Sequence, residues 1–468
     1  MASRPLGRAF ALGLTSGVVY FAATLYWVAL VIQRYGELPL VVAVLVDALL
    51  VAYLALFPAL FALLLRRLVL AYGAPALMAA PFVWVATELG RAHLFSGFPW
   101  VLLGYSQATV LPIAQLASLF GVYGVSALAA GVASAAALWA STRARGPRIA
   151  SAAAAAAAVV ATAMWGAWRA GRGEWTREGE AVTVGLVQGN VSEDERRDRA
   201  RAERIILDQI RLTRQAIGAG AELVLWPESA MSPYRFADHP EMAERVRRVA
   251  REGRAAILVG SDEVERGHPD RWYNSAFLVR ADGADGGVYR KIHLVPFGEY
   301  VPLKRLLFFV GPLVEAIGSG FDAGEDPAVL HVGGHALSVA ICYEVVYPAL
   351  VREFVAEGSE LLTTITNDAW FGRTSAPYQH FAQASMRAIE EGRYLVRAAN
   401  TGISGIVDPY GRVTAESAIF EQGALVGRAR FLRVETPYAR WGDLFAYLSA
   451  LVTALLVAGA RPRSAIYN

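Results

Sequence analysis

Apolar positions along this chain gather into long blocks, with one extended region of mixed polarity between them. Residues 9–33, 39–65, 74–90, 110–140 and 149–168 are nearly unbroken apolar runs, and a sixth covers 444–460. Most reach the roughly 20 residues that a bilayer-crossing helix needs, so about six spans are predicted. No short apolar core with a small-residue cleavage site precedes the first run, which therefore reads as a retained helix. Between the fifth and sixth runs lie about 260 residues of alternating pattern, the size of one large domain. Strands are predicted at 182–188, 222–228, 255–260, 275–280, 336–342, 360–366 and 402–409, several of them near-continuous β-branched and leucine runs as expected where both faces are covered. Helical patterns at 196–218, 239–252, 347–357 and 378–396 alternate with them, which predicts an α/β or layered α+β domain.

These boundaries divide the chain into a five-helix bundle over 1–168, an α/β domain over 169–440, and a last helix with its tail over 441–468. Basic residues in short connections give the sidedness, because loops rich in Lys and Arg stay in the cytoplasm. Arg4 and Arg8, Arg66 and Arg67, Arg143, Arg145 and Arg148, and Arg461 and Arg463 fall on one side; the intervening loops hold only Arg34 and Arg91. Both termini are thus expected in the cytoplasm and the large domain outside it.

Composition agrees with this picture. Hydrophobic residues make up 55% of the chain, mean hydropathy is +0.37, and charged residues are 18%. The net charge of +3 is largely explained by the sidedness of the arginines and gives no reason to expect a nucleic-acid partner. The mixed-sign run "SEDERRDRARAER" (192–204) reads as a solvated helix face.

Three polar groups share one placement, at or just past an apolar strand, where a loop can present them to a cleft. Glu228 ends "LVLWPESA", Lys291 lies in "VYRKIHLVPFGEYVP", and Cys342, the single cysteine, ends "ALSVAIC". Singly, each has an ordinary structural explanation as packing, turn or solvated charge. Together they have a chemistry. A nucleophilic cysteine needs a base or a positive charge to yield thiolate. Glu228 can accept the proton, Lys291 can hold charge beside both, and the same ammonium with the Tyr343 backbone N–H can stabilise an oxyanion. The reaction class is acyl transfer through a thioester.

The words around these residues resemble the nitrilase superfamily, with separations of 63 residues from Glu228 to Lys291 (291 − 228) and 51 from Lys291 to Cys342 (342 − 291). More specifically, "FPWVLLGYSQ" (98–107), "LVQGN" (186–190), "WPESA" (226–230), "HLVPFGEYVP" (293–302), "ICYE" (341–344), "NDAWFG" (367–372) and "TPYAR" (436–440) resemble, in order, the apolipoprotein N-acyltransferase family. That resemblance implies an αββα sandwich with a Glu–Lys–Cys triad on a bacterial inner-membrane protein, its catalytic domain in the periplasm. It implies transfer of an acyl chain from a phospholipid of phosphatidylethanolamine type to the α-amine of a lipoprotein's diacylglyceryl-cysteine. Glu228 becomes the base, Lys291 the stabiliser and Cys342 the nucleophile. Glu299, Tyr343 and Glu344 fall on supporting positions, and Asn367, Asp368, Ala369, Trp370 and Phe371 form a loop near the nucleophile.

Two departures accompany the match. Many relatives carry two further N-terminal spans, so this chain starts where their third would be. After "QGN" the family often has a tryptophan over the cleft, where this chain reads "EDERRD" with Arg197 nearby. The apolar stretch 303–318 dips toward the bilayer, lines an acyl cavity, or is an ordinary core helix. Glu88 and Arg91, at a membrane helix end, are expected either to pair with each other or to contact a headgroup, pairing being the preferred reading. No cofactor and no metal are expected: His331 and His335 are separated by a turn-like spacer, and His293 and His380 stand alone in sequence. Two other readings remain open, a membrane-anchored amidase using water as acceptor and a non-catalytic membrane scaffold. The polytopic bundle favours a lipid donor, since a hydrolase of soluble amides needs at most one anchor.

Overall fold

The structure, a computed structural model, describes residues 4–198, 200–300 and 320–460. The stretch 303–318 and the side chain of Arg197 lie outside the described residues. The chain divides into a helical unit, Met1–Gln33, Leu38–Arg172 and Thr436–Asn468, and a sandwich unit, Arg34–Glu37 and Gly173–Glu435.

In the helical unit four described helices are long and apolar enough to cross a membrane: Leu6–Leu25, Leu40–Tyr72, Ala117–Ser141 and Arg145–Thr176. Part of their apolar surface turns outward. On the second, Val41, Leu45 and Leu49 are 71, 60 and 72% exposed at a spacing of four, a stripe suited to lipid. The third expected span differs from prediction. Gly73 ends the preceding helix at φ 86°, a 3₁₀ turn covers Ala74–Ala79, and Ala80–His93 follows as a helix of 14 residues. Pro75 and Pro81 each lack an N–H and start a new segment. The last helix, Leu444–Gly459, has 16 residues and packs against Ala80–His93.

Glu88 and Arg91 are both buried in this unit, and they do not form an ion pair as expected. Arg91 instead donates to the carbonyls of Phe98 and Trp100 at 3.2 and 2.8 Å, and Glu88 accepts from the Leu103 N–H at 2.7 Å. Each buried charge satisfies backbone groups of the irregular loop that follows their helix, where regular structure leaves those groups unpaired.

The sandwich unit contains the strands β1 (Glu180–Gln188), β2 (Leu223–Leu225), β3 (Ala256–Glu265), β4 (His268–Val279), β5 (Asp285–Arg290), β6 (Leu330–Val332), β7 (His335–Ile341), β8 (Leu361–Thr366), β9 (Leu395–Ala399), β10 (Gly405–Val407), β11 (Val413–Glu416) and β12 (Gly423–Phe431). They form two six-stranded sheets, in the orders β12-β1-β2-β3-β4-β5 and β11-β10-β9-β8-β7-β6. The centres are parallel, β1 with β2, β2 with β3, β7 with β8 and β8 with β9, and antiparallel strands flank them. The sheets face each other through β1 with β9 and β4 with β7. Helices Ala202–Gly218 and Pro240–Gly253 cover the first sheet, and Pro348–Ala356 and Ala376–Glu391 the second. The result is a four-layer αββα arrangement.

Periodicity explains the outer layers. On Ala202–Gly218 the buried Ile206, Ile210, Thr213 and Ala216 recur at three and four residues, and Trp226 of the sheet donates to Thr213 Oγ1 at 2.7 Å. Helix Ala376–Glu391 stops earlier than predicted because Gly392 takes a left-handed φ of 64°, and the apolar residues after it become β9. The first and last strands of the unit in sequence meet: β1 pairs antiparallel with β12 from Glu180 opposite Phe431, so entry and exit of this unit lie side by side.

Candidate active site

Loops at the C-terminal ends of β2 and β7 and the segment after β5 carry the three predicted groups. Beyond β2, Pro227 stops the strand and Glu228 turns back over β3. That crossing needs a glycine beneath it, since a Cβ on Gly260 would stand 2.1 Å from the Pro227 carbonyl oxygen. Beyond β7, Cys342 opens a 3₁₀ turn, Cys342–Val346, with a left-handed φ of 53°. Ser229 (48°) and Phe297 (61°) adopt the same uncommon conformation in the loops holding Glu228 and Glu299. Non-glycine residues are rare there, and such strain gathers at functional sites.

Glu228 is 6% exposed and held from two sides. Its Oε1 accepts from Asn274 Nδ2 at 2.7 Å, and its Oε2 from the Asn367 backbone N–H at 2.9 Å. Lys291, 1% exposed, places Nζ 2.8 Å from Glu299 Oε1 and 3.6 Å from Glu228 Oε1. Burial works against the ammonium, but the Glu299 and Glu228 carboxylates outweigh it, and the pKa rises above the usual lysine range. Lys291 is therefore a fixed positive charge. Glu299 also accepts from Asn274 Nδ2 at 3.1 Å and from the Val295 N–H at 2.8 Å. Asn274, which sequence reasoning missed, thus spaces two carboxylates around one ammonium.

Cys342 is 8% exposed and feels the charges of Glu228, Lys291 and Asp368. Burial and then the Glu228 carboxylate push its pKa well up, and Lys291 only partly opposes them. Both effects favour the neutral thiol, and Glu228 is the neighbouring group able to accept its proton.

Glu344, fully buried two residues on, is a clamp. Its Oε2 accepts from the Ile341 N–H at 2.7 Å; its Oε1 accepts from the Tyr289 hydroxyl at 2.8 Å and from the Ile292 and His293 N–H groups at 2.8 and 3.0 Å. It ties the turn bearing Cys342 to the segment bearing Lys291. Burial raises its pKa to about 7 against the pull of Lys291 and these donors. The Tyr343 ring meets Tyr347 edge-on at 5.1 Å, with His293 6.1 Å away.

The expected loop after β8 lies at the same place. Asn367 donates to the Glu193 carboxylate and accepts from Asn400 Nδ2 at 2.9 Å. Trp370 stands slightly apart, its ring 4.6 Å from that of Tyr35, whose hydroxyl donates to the Ala369 carbonyl at 3.1 Å. Glu193, Asn400 and Tyr35 are further members that sequence reasoning missed; Tyr35 belongs to the short stretch Arg34–Glu37 that groups with the sandwich. Among the described residues no three His, Cys, Asp or Glu side chains converge on a metal position.

Comparisons with known proteins agree with this architecture. The carbon-nitrogen hydrolase family model matches residues 183–434, and the model of the apolipoprotein N-acyltransferase N-terminal domain matches 1–135. An apolipoprotein N-acyltransferase of Geobacter metallireducens is 40% identical over 98% of this chain and 88% of its own length. This chain belongs to the apolipoprotein N-acyltransferase family. A second family member, from Methylococcus capsulatus, is 37% identical over 92% of this chain and 83% of its own. Among solved structures, an amidase from Nesterenkonia sp. is similar at 24% identity and a TM-score of 0.43, over 55% of this chain and 93% of that one. As a member of the N-acyltransferase family with its membrane-spanning helices, the chain is a membrane-bound acyltransferase with a nitrilase-like sandwich.

Proposed function

We propose that this protein transfers an acyl chain from a phospholipid, of phosphatidylethanolamine type, to the N-terminal α-amine of diacylglyceryl-cysteine in apolipoproteins. The observation that carries the reading is the convergence of Glu228, Lys291 and Cys342 within a chain of this family. In the first half-reaction the Cys342 sulfur attacks the ester carbonyl as its proton passes to Glu228. Lys291 Nζ and the Tyr343 N–H face the oxyanion, where fixed donors lower the barrier. The C–O bond breaks, Glu228 returns the proton to the departing lysophospholipid oxygen, and a thioester remains. In the second, the free amine attacks the thioester, Glu228 takes the amine proton, the C–S bond breaks, and the proton returns to sulfur. One site serves two bulky lipids in turn, which is what a covalent intermediate permits.

The arginine distribution supports a location in the bacterial inner membrane, with both termini cytoplasmic and the sandwich on the periplasmic side. Glu299 and Glu344 support the charge and the turn, and Asn367 and Trp370 line the approach. The test is to incubate the purified protein with phosphatidylethanolamine vesicles and a synthetic diacylated lipopeptide, with mass spectrometry of both peptide and enzyme. An N-acylated peptide is expected, together with one acyl group on Cys342 when the peptide is omitted. Release of free fatty acid with no acylated peptide would make the protein a hydrolase, and full activity in Cys342→Ala would make the thioester wrong.

A further inference from the structure

Behind Cys342, on the side away from Glu228 and Lys291, lies a buried polar network that the reaction as written does not use. It is built on strand register. β7 and β8 run parallel with Ile341 opposite Ile365, so Cys342, which opens the turn just past β7, and Thr366, the last residue of β8, each follow that final pair. The Thr366 hydroxyl is a neighbour of the Cys342 sulfur and donates to Asp368 Oδ1 at 2.9 Å. Asp368 Oδ2 accepts from Arg397 Nη2 at 2.9 Å, and that nitrogen is also 3.0 Å from His380 Nδ1, itself 3.1 Å from Asp368 Oδ1. His380 Nε2 lies 3.1 Å from the Cys342 carbonyl oxygen. Thr366, Asp368, His380 and Arg397 are all fully buried.

Hydrogen positions follow from what each partner can do. A backbone carbonyl only accepts, so His380 Nε2 carries the hydrogen and donates to it. Although burial opposes its charge, the Arg397 guanidinium holds Asp368 down to about 2, a carboxylate that only accepts. The single Thr366 hydrogen therefore points to Asp368 at rest, and a lone pair of its oxygen faces the Cys342 S–H. When that proton passes to Glu228, the sulfur becomes an acceptor, and rotation about the Thr366 C–O bond brings the hydroxyl hydrogen to it. Asp368 keeps Arg397, and no proton is gained or lost by Thr366.

We propose that Thr366 is a further catalytic residue, steadying the Cys342 sulfur through a hydroxyl that switches partner, and that Asp368, Arg397 and His380 are positioning residues that hold the Cys342 backbone in its left-handed turn. The catalytic part rests on the thioester reading above. The groups facing the sulfur are Glu228 from the loop after β2, Lys291 from the segment after β5, and Thr366 and Asp368 from the end of β8. The test compares wild type with Thr366→Val, Thr366→Ala and Thr366→Ser in the full chain. Two rates are read: iodoacetamide alkylation of Cys342 across pH, and acylation of Cys342 by phosphatidylethanolamine. A hydrogen bond to an ionised group is worth about tenfold or more in rate, so Val and Ala are expected to slow both by about that factor and to move the alkylation profile to higher pH. Ser is expected to restore both to within about threefold, because it retains the hydroxyl. Val or Ala variants that melt like wild type and alkylate at the wild-type rate at every pH would overturn the proposal. Alkylation needs no lipid, so this result stands apart from the fate of the acyl-transfer reading.

Discussion

Replacing Asn274 by alanine tests whether the site depends on spacing between its carboxylates. Its amide nitrogen bonds Glu228 Oε1 at 2.7 Å and Glu299 Oε1 at 3.1 Å, and its backbone carbonyl accepts from the Lys291 N–H at 2.8 Å. Alanine keeps the backbone bond and removes both side-chain ones. A hydrogen bond to a charged group contributes about 1.5–3 kcal/mol. If the Glu228 bond alone is felt while the carboxylate takes the thiol proton, acylation slows about 10- to 150-fold. The Glu299 bond adds to stability more than to rate, since Lys291 still binds Glu299 at 2.8 Å. The assay is single-turnover acylation of Cys342 by phosphatidylethanolamine without acceptor, quenched over time and read by intact mass. A properly folded Asn274→Ala protein that acylates within twofold of wild type would refute the reasoning, and Glu228 would then owe its placement to the Asn367 N–H alone.

Further outcomes follow from the same contacts. Glu344→Gln can keep its carbonyl toward Tyr289, Ile292 and His293, but its NH₂ then faces the Ile341 N–H, leaving both of these buried donors unpaired at a cost of about 1–3 kcal/mol each. It should fold and show acylation reduced about tenfold or more, whereas Glu344→Ala orphans all of these donors and should not accumulate as folded protein. Gly402→Ala would set a Cβ 2.1 Å from Asp368 Oδ2. The carboxylate must leave Arg397, and breaking a buried pair costs about 3–5 kcal/mol, visible as a lower melting temperature. Asp368 falls from 3.8 to about 2 on folding, so it contributes stability above pH 4 that is lost as pH drops toward 2. Asp368→Asn should be less stable than wild type at pH 7 by roughly 2 kcal/mol, with the gap closing under acid denaturation; an unchanged gap at pH 3 would contradict this.

How much could be read in advance depends on whether a residue announces its own surroundings. Glu228, Lys291 and Cys342 each follow an apolar run, so one strand suffices to place each at a loop. Asn274 has no such mark: it sits inside β4, and only the order β2-β3-β4-β5 carries it to Glu228, 46 positions away. Tyr35 is harder still, as its partner Ala369 is 334 positions on. Local errors have local causes. Residues 378–396 read as one helix because apolar spacing runs through Gly392, which in the structure ends the helix and lets Leu395–Ala399 extend as a strand. β12 went unseen since "GALVGRARF" alternates too weakly to stand out, and it gains its order by pairing along β1. The upward push on the Cys342 thiol was also out of reach, because a list of nearby charges does not reveal how completely water is removed from them.

The meeting of Glu180 with Phe431 at the rim of the first sheet has a consequence for how the protein is built. Hydrogen-bonded strands run about 5 Å apart, so the sandwich begins and finishes at practically one point. A module with that property can be spliced into a single connection of any host without stretching it. Transplanted between two helices of an unrelated membrane protein, residues 173–435 should still close their sheets.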